Sequence, residues 1–220
     1  MQTFWRKNLG VMLVFLSSAI PVFLWLEIAP WRARFGSLTT GLGSVGQLAG
    51  LVGFVLFAWA LFLASRHPLL KILFPETSLI YKRHHLLGVV AFILLLLHPL
   101  ALFLKIALTS LAAAFRFLIP TLANPAKIAG VSGLTLMTIL LLLTLFGHLR
   151  YDLWKKTHRF LGLAFFFGSL HLFLLQNSDL AGSLPLRVYI FTFAILGLIA
   201  IAYNVMRMLR MPHPNQRIQE

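Results

Sequence analysis

A chain of 220 residues that is 60% hydrophobic and only 11% charged lacks the polar surface to clothe a soluble domain of that size. Its formal net charge of +14 invites a nucleic-acid partner. The basic residues, however, fall in the breaks between apolar runs and form no face of their own, which is how topology signals are distributed in a membrane protein. With no cysteine, disulfides, thiolate-held iron–sulfur clusters and a cysteine nucleophile are all excluded.

The apolar runs predict an all-α membrane protein of six spans, at about 9–28, 41–64, 84–104, 129–149, 158–176 and 186–209. Each is about 18 to 24 residues long, the length a bilayer core requires. Each should be a helix, because only a helix satisfies its own backbone polar groups in lipid. The first run follows Arg6 and Lys7 as a signal peptide would, but it continues through Pro21 without a small-residue cleavage site and reads as a retained span. Residues 1–209 therefore form one membrane domain in contact with lipid, and 210–220 a tail. Pro21 and Pro99 should kink their helices. Residues 105–127, the longest connection on their side, should hold a short interfacial helix.

Of the 19 Lys and Arg, thirteen fall on the side of the N-terminus, the second and fourth connections and the tail. Six fall on the other (Arg32, Arg34, Lys105, Arg116, Lys127 and Arg187). This bias predicts cytoplasmic N- and C-termini in a bacterial inner membrane.

The second span opens on Gly41-Leu42-Gly43-Ser44-Val45-Gly46, a match to the dinucleotide-binding GxGxxG. That pattern has meaning only between a strand and a helix. At the mouth of a membrane span, close packing of helices through small residues explains it better.

The chemistry lies in the third and fifth spans. His84 and His158 each follow a lysine (Lys82, Lys156) by two residues and precede Leu-Gly at the third and fourth positions; His98 and His171 come 14 and 13 residues later. Odd-numbered spans run in the same direction, so each level offers one imidazole from each helix. Two facing imidazoles can grip a haem iron from both sides within a bundle core. At about 1.5 Å per residue the levels lie about 21 Å apart. Zinc would need its ligands to converge on one point, within about 2 Å, and a proton relay would more often use carboxylates. A lone membrane histidine would more simply be a hydrogen-bonded core residue; four in two matched pairs point to a site.

Helical phase favours one helix over the other. Fourteen residues bring His98 to within about 40° of His84, whereas thirteen leave His171 about 140° from His158. Irregular winding near Gly162 or Gly168, tilt, or side-chain reach must supply the difference. His85 competes with His84 as a ligand, although the shared HxxLG register favours His84. Lys82, Arg83, Arg150 and Arg159 sit at the level of His84 and could neutralise haem propionates or merely set topology. Tyr151 and Trp154 read as interface aromatics, Phe165-Phe166-Phe167 as packing or as a bridge between levels, and His67, His148 and His213 as bystanders.

The segments PETSLIYKRHHLLG and LRYDLWKKTHRFLG, each with its distal histidine, resemble the ferric reductase-like transmembrane domain shared by ferric reductases and NADPH oxidases, from about residue 43 to 209. The resemblance implies six helices and two b-type haems, ligated by His84 with His158 and by His98 with His171, with Arg83 and Arg159 beside the inner one. It implies electron transfer from NADPH through FAD and the haems to an outer acceptor such as ferric iron or oxygen. The flavin and nicotinamide domains of that family follow the sixth helix, and this sequence ends at Glu220. FAD and NADPH would therefore act only through a flavoprotein partner or a missing domain. The alternatives are a quinone-fed haem subunit of a periplasmic reductase system or, in a different class, a non-redox transporter. Against the transporter, the spans hold almost no embedded carboxylates, Glu27 near the end of the first being the exception.

Overall fold

The computed structural model describes residues 2–75, 77–176 and 178–210, without the side chains of residues 2–7, 77 and 78. Eleven helices follow one another: α1 (Gln2–Ile28), α2 (Trp31–Phe35), α3 (Leu38–Ser65), α4 (Leu70–Leu73), α5 (Thr77–Ala107), α6 (Leu111–Leu118), α7 (Pro125–Phe146), α8 (Tyr151–Arg159), α9 (Leu161–Leu174), α10 (Asp179–Gly182) and α11 (Leu184–Leu209). Among the described residues there is no strand. Six segments are long and apolar enough to cross a bilayer, the fifth combining α8 and α9. The protein is an all-α, six-span integral membrane bundle.

Local signals set the helix ends. Ser37 and Thr40 form a reciprocal capping box at the start of α3, and Arg66 in the left-handed region ends it. Asn124 caps α7 with Pro125 in its first turn, so the fourth span begins four residues earlier than its hydropathy suggests and ends at Phe146, ahead of His148. Ser183 caps α11 in the same way. The interfacial helix expected in residues 105–127 is α6, capped by Ser110. The tail, with His213 and Arg217, lies beyond the described residues.

The helices pack as two hairpins, α3 against α5 and α7 against α9, while α11 leans on α3 and α9, and α1 on α3 and α11. The GxGxxG stretch is the interior of α3, and its glycines serve the first hairpin. A methyl on Gly46 would lie 3.1 Å from the carbonyl oxygen of His98, and one on Gly53 3.1 Å from Leu94 and Leu95. The stripe lets α5 lie almost backbone to backbone on α3. The opposite face of α5 carries exposed Leu86, Val89, Ile93, Leu96, Leu100 and Leu104, a continuous apolar surface at helical spacing turned to lipid. Between the hairpins, the fully buried ring of Phe165 stacks on Phe54 at 4.8 Å and meets Phe57 edge-on at 5.2 Å. Phe166, its neighbour, is exposed.

A buried ion pair closes the end of the bundle remote from His84 and His158. Arg34, 7% exposed, pairs with Asp179 across 145 residues, donates to the Trp25 carbonyl at 3.0 Å, and stacks its guanidinium 3.8 Å over the Trp25 ring. Trp25 in turn donates to Gln47 at 2.9 Å. Sequence reading treats Arg34 only as topology charge, because a partner so remote along the chain leaves no local pattern. Removing one member strands the other in a low-dielectric setting. Asp179→Ala should cost about 2–4 kcal/mol, and the double replacement Arg34→Met with Asp179→Leu should recover most of it. Both are read as unfolding midpoints of the detergent-solubilised protein.

Candidate functional site

The structure brings the four histidines together in two pairs. The rings of His84 and His158 lie 6.2 Å apart, centroid to centroid, and those of His98 and His171 6.4 Å apart. His84 is half-buried while its neighbour His85 is exposed, so His84 is the one that faces His158. Two metal–nitrogen bonds of about 2 Å plus the depth of each ring amount to about 6–6.5 Å, so each gap has the width that one metal ion needs between two imidazoles. Among the described residues no group of three or more His, Asp or Glu gathers to hold an ion alone. Each pair is a two-ligand set, suited to an ion whose remaining positions come from elsewhere, as in a macrocycle, and unsuited to bare zinc.

The hydrogen bonds at Nδ1 set the rings. His98 bonds the Gly46 carbonyl at 2.8 Å, His171 the Ala126 carbonyl at 2.7 Å, and His84 the Ala60 carbonyl at 2.9 Å. A carbonyl oxygen can only accept, so in these three rings Nδ1 carries the proton and Nε2 is left free as a donor to metal. Four residues beyond those carbonyls stand Gly50, Gly130 and Ala64. A methyl on Gly50 would lie 2.9 Å from Nδ1 of His98, and one on Gly130 2.9 Å from Nδ1 of His171. At a helical carbonyl whose helix bond is already made, a small residue one turn on is what lets a ring reach the second lone pair. His158 differs: its Nδ1 finds only Thr144 Oγ1, at 3.5 Å, and its ring lies on Trp154 at 5.2 Å and 27°.

Part of the phase gap in the fifth span is made up at Phe160, two residues from Gly162, the nearer of the two glycines where irregular winding is expected. α8 ends at Arg159 and α9 starts at Leu161. The Phe160 N–H bonds the Thr157 carbonyl at 3.0 Å, and the Leu163 N–H the Phe160 carbonyl at 2.9 Å. These three-residue bonds wind the chain at about 120° per residue instead of 100°, which turns His171 towards the face of His158.

A cavity of about 410 Å³ opens beside His98 and His171, walled by Gly50, Gly130, Leu95 and Met137 with Gln47 and Lys127 among its few polar groups. That is within the size range of cofactor pockets, as is the mostly apolar lining. Helices α5 and α9 are not packed backbone to backbone, which leaves room between the hairpins. At the other level, Arg83 is half-buried, lies 5.0 Å over Phe74, and has a buried Nη1 with no hydrogen-bond partner among the described residues. Arg159 is exposed and lines a surface hollow of about 370 Å³ with Lys156 and Phe160. Neither guanidinium hydrogen-bonds either ring. Of the bystanders, His67 packs against Tyr203 at 4.9 Å and His148 bonds the Phe146 carbonyl, both away from the pairs.

Residues 49–169 match the family model described as the ferric reductase like transmembrane component. The match spans more than half of the sequence. The chain belongs to this family. The matched stretch is narrower than residues 43–209 and includes His84, His98 and His158, with His171 two residues beyond its end. No curated protein matched. Membership in the ferric reductase-like family agrees with the six-span fold and points to electron transfer across a membrane.

The contact between Gly130 and His171 can be tested by a double-mutant cycle. Gly130→Ala should destabilise the protein by about 1–3 kcal/mol, as overpacking does. In a His171→Ala background most of that cost should vanish, because the colliding ring is gone. Equal costs in both backgrounds would show that the glycine answers to something else.

Proposed function

We propose that the protein carries electrons across the membrane through two b-type haems, one between His84 and His158 and the other between His98 and His171. The donor is a flavoprotein on the basic side, which faces the cytoplasm of a bacterial cell, and the acceptor is a small oxidant on the other side, such as ferric iron or oxygen. The observation that carries this is the pair of facing imidazole gaps, 6.2 and 6.4 Å wide, on two co-directional spans. When bound, haem supplies one-electron chemistry that no side chain of this protein can provide.

The protein's own part is to place and shield. The carbonyls of Ala60, Gly46 and Ala126 hold three imidazoles by Nδ1, leave Nε2 free and make each ring a better donor to metal. Bound haem would be held by His84 with His158 and by His98 with His171, and would supply one-electron transfer to the acceptor. The buried Phe54–Phe165 stack keeps water out of the space between the levels. Half-buried Arg83 and exposed Arg159 supply positive charge near the level of His84, where propionates would need it. FAD and NADPH act through the donor protein.

Protein purified from haem-replete cells should contain two haems per chain by the pyridine haemochrome assay. His98→Ala or His171→Ala should leave one, and so should His84→Ala or His158→Ala, with a different surviving spectrum. Colourless protein would overturn the proposal and favour a non-redox role for the histidines.

A further inference from the structure

The two histidine pairs are not equivalent. At the level of the cavity both Nδ1 atoms are held by backbone carbonyls, at 2.8 and 2.7 Å. At the other level only His84 is so held. His158 has the Thr144 hydroxyl at 3.5 Å, and that hydroxyl already donates its own proton to the Leu140 carbonyl at 2.8 Å. Among the described residues the Thr144 oxygen is therefore the one acceptor within reach of His158 Nδ1. The ring is steadied on its face by Trp154, which is half-buried and itself leans on Tyr151 at 5.7 Å.

We infer that Thr144 and Trp154 are the positioning residues of His158, and that this weak hold makes the His84/His158 site the more easily reduced of the two. The inference rests on the haem reading above. An imidazole whose Nδ1–H is firmly bonded gives more electron density to a bound metal and favours its oxidised state. The cavity pair receives two such bonds and the other pair one. Electrons entering from the basic side would thus rest at the first site, and onward transfer would depend on the strength of the acceptor.

Spectroelectrochemical titration of the full chain in detergent or nanodiscs tests this. The unaltered protein should give two resolved waves, and His98→Ala should remove the lower one. Thr144→Val, which keeps shape and loses the hydroxyl, should raise the upper wave and leave the lower in place, while Thr144→Ser should restore the original position. Gly130→Ser, which pushes the His171 ring away from the Ala126 carbonyl, should raise only the lower wave. Loss of the upper wave in His98→Ala, or an upper wave indifferent to Thr144→Val, would overturn the inference while leaving two haems intact. Should Thr144→Val fail to fold, the result in His98→Ala together with Gly130→Ser decides the order of the sites. Absence of any haem would instead overturn the proposed function.

Discussion

A histidine within a membrane bundle must satisfy its Nδ1, and nearly every carbonyl there is already committed to a helix bond. This protein meets that constraint three times by one device: a small residue set one helical turn beyond the accepting carbonyl, at Gly50, Gly130 and Ala64. The missing side chain opens a lane through which a ring from the next helix reaches the second lone pair of the oxygen. Other features follow from that need. The glycines that admit the ring of His98 also bring α3 and α5 into close contact, and those on α7 do so for α9. Each hairpin is therefore both a packing unit and a holder for imidazoles.

Two hairpins that each present an imidazole at two depths make a site only if the imidazoles face. In α5 the step of fourteen residues provides this with regular winding, and Pro99 is absorbed without ending the helix. In the fifth span the step of thirteen does not. The tight turn at Phe160 supplies part of the missing rotation there and splits the span into a polar, exposed α8 and an apolar α9. The consequence falls on His158, on the α8 side of the break, which is the one ring without a backbone acceptor.

Much of this was legible in the sequence, because hydropathy and histidine spacing are written in residue types. Six spans, the interfacial helix of residues 105–127, the four-histidine pattern and the packing role of the GxGxxG stretch could all be read there. The fifth span was drawn too short at its start, since the charged residues of α8 mask a helix that hydropathy does not detect. The fourth was displaced because Asn124-Pro125, a start signal for α7, outweighs the apolar run. The ring acceptors were out of reach: a carbonyl belongs to every residue, so only the small residue one turn later betrays which one is used. Thr144 as a neighbour of His158, and Asp179 as the partner of Arg34, depend on contacts across the fold. Trp154, read as an interface aromatic, lies against a candidate ligand.

The boundary between the two hairpins is of a different kind from the boundaries inside them. Within each, glycine stripes interlock backbone with backbone. Across the middle, direct contact rests largely on Phe54 with Phe165 and on the bridging of α11, and the remainder is imidazole and cavity. Such a seam gains cohesion from whatever fills it, because a guest that binds only the closed form adds its binding energy to the fold. A guest seated in that seam would act as the mortar between the two halves.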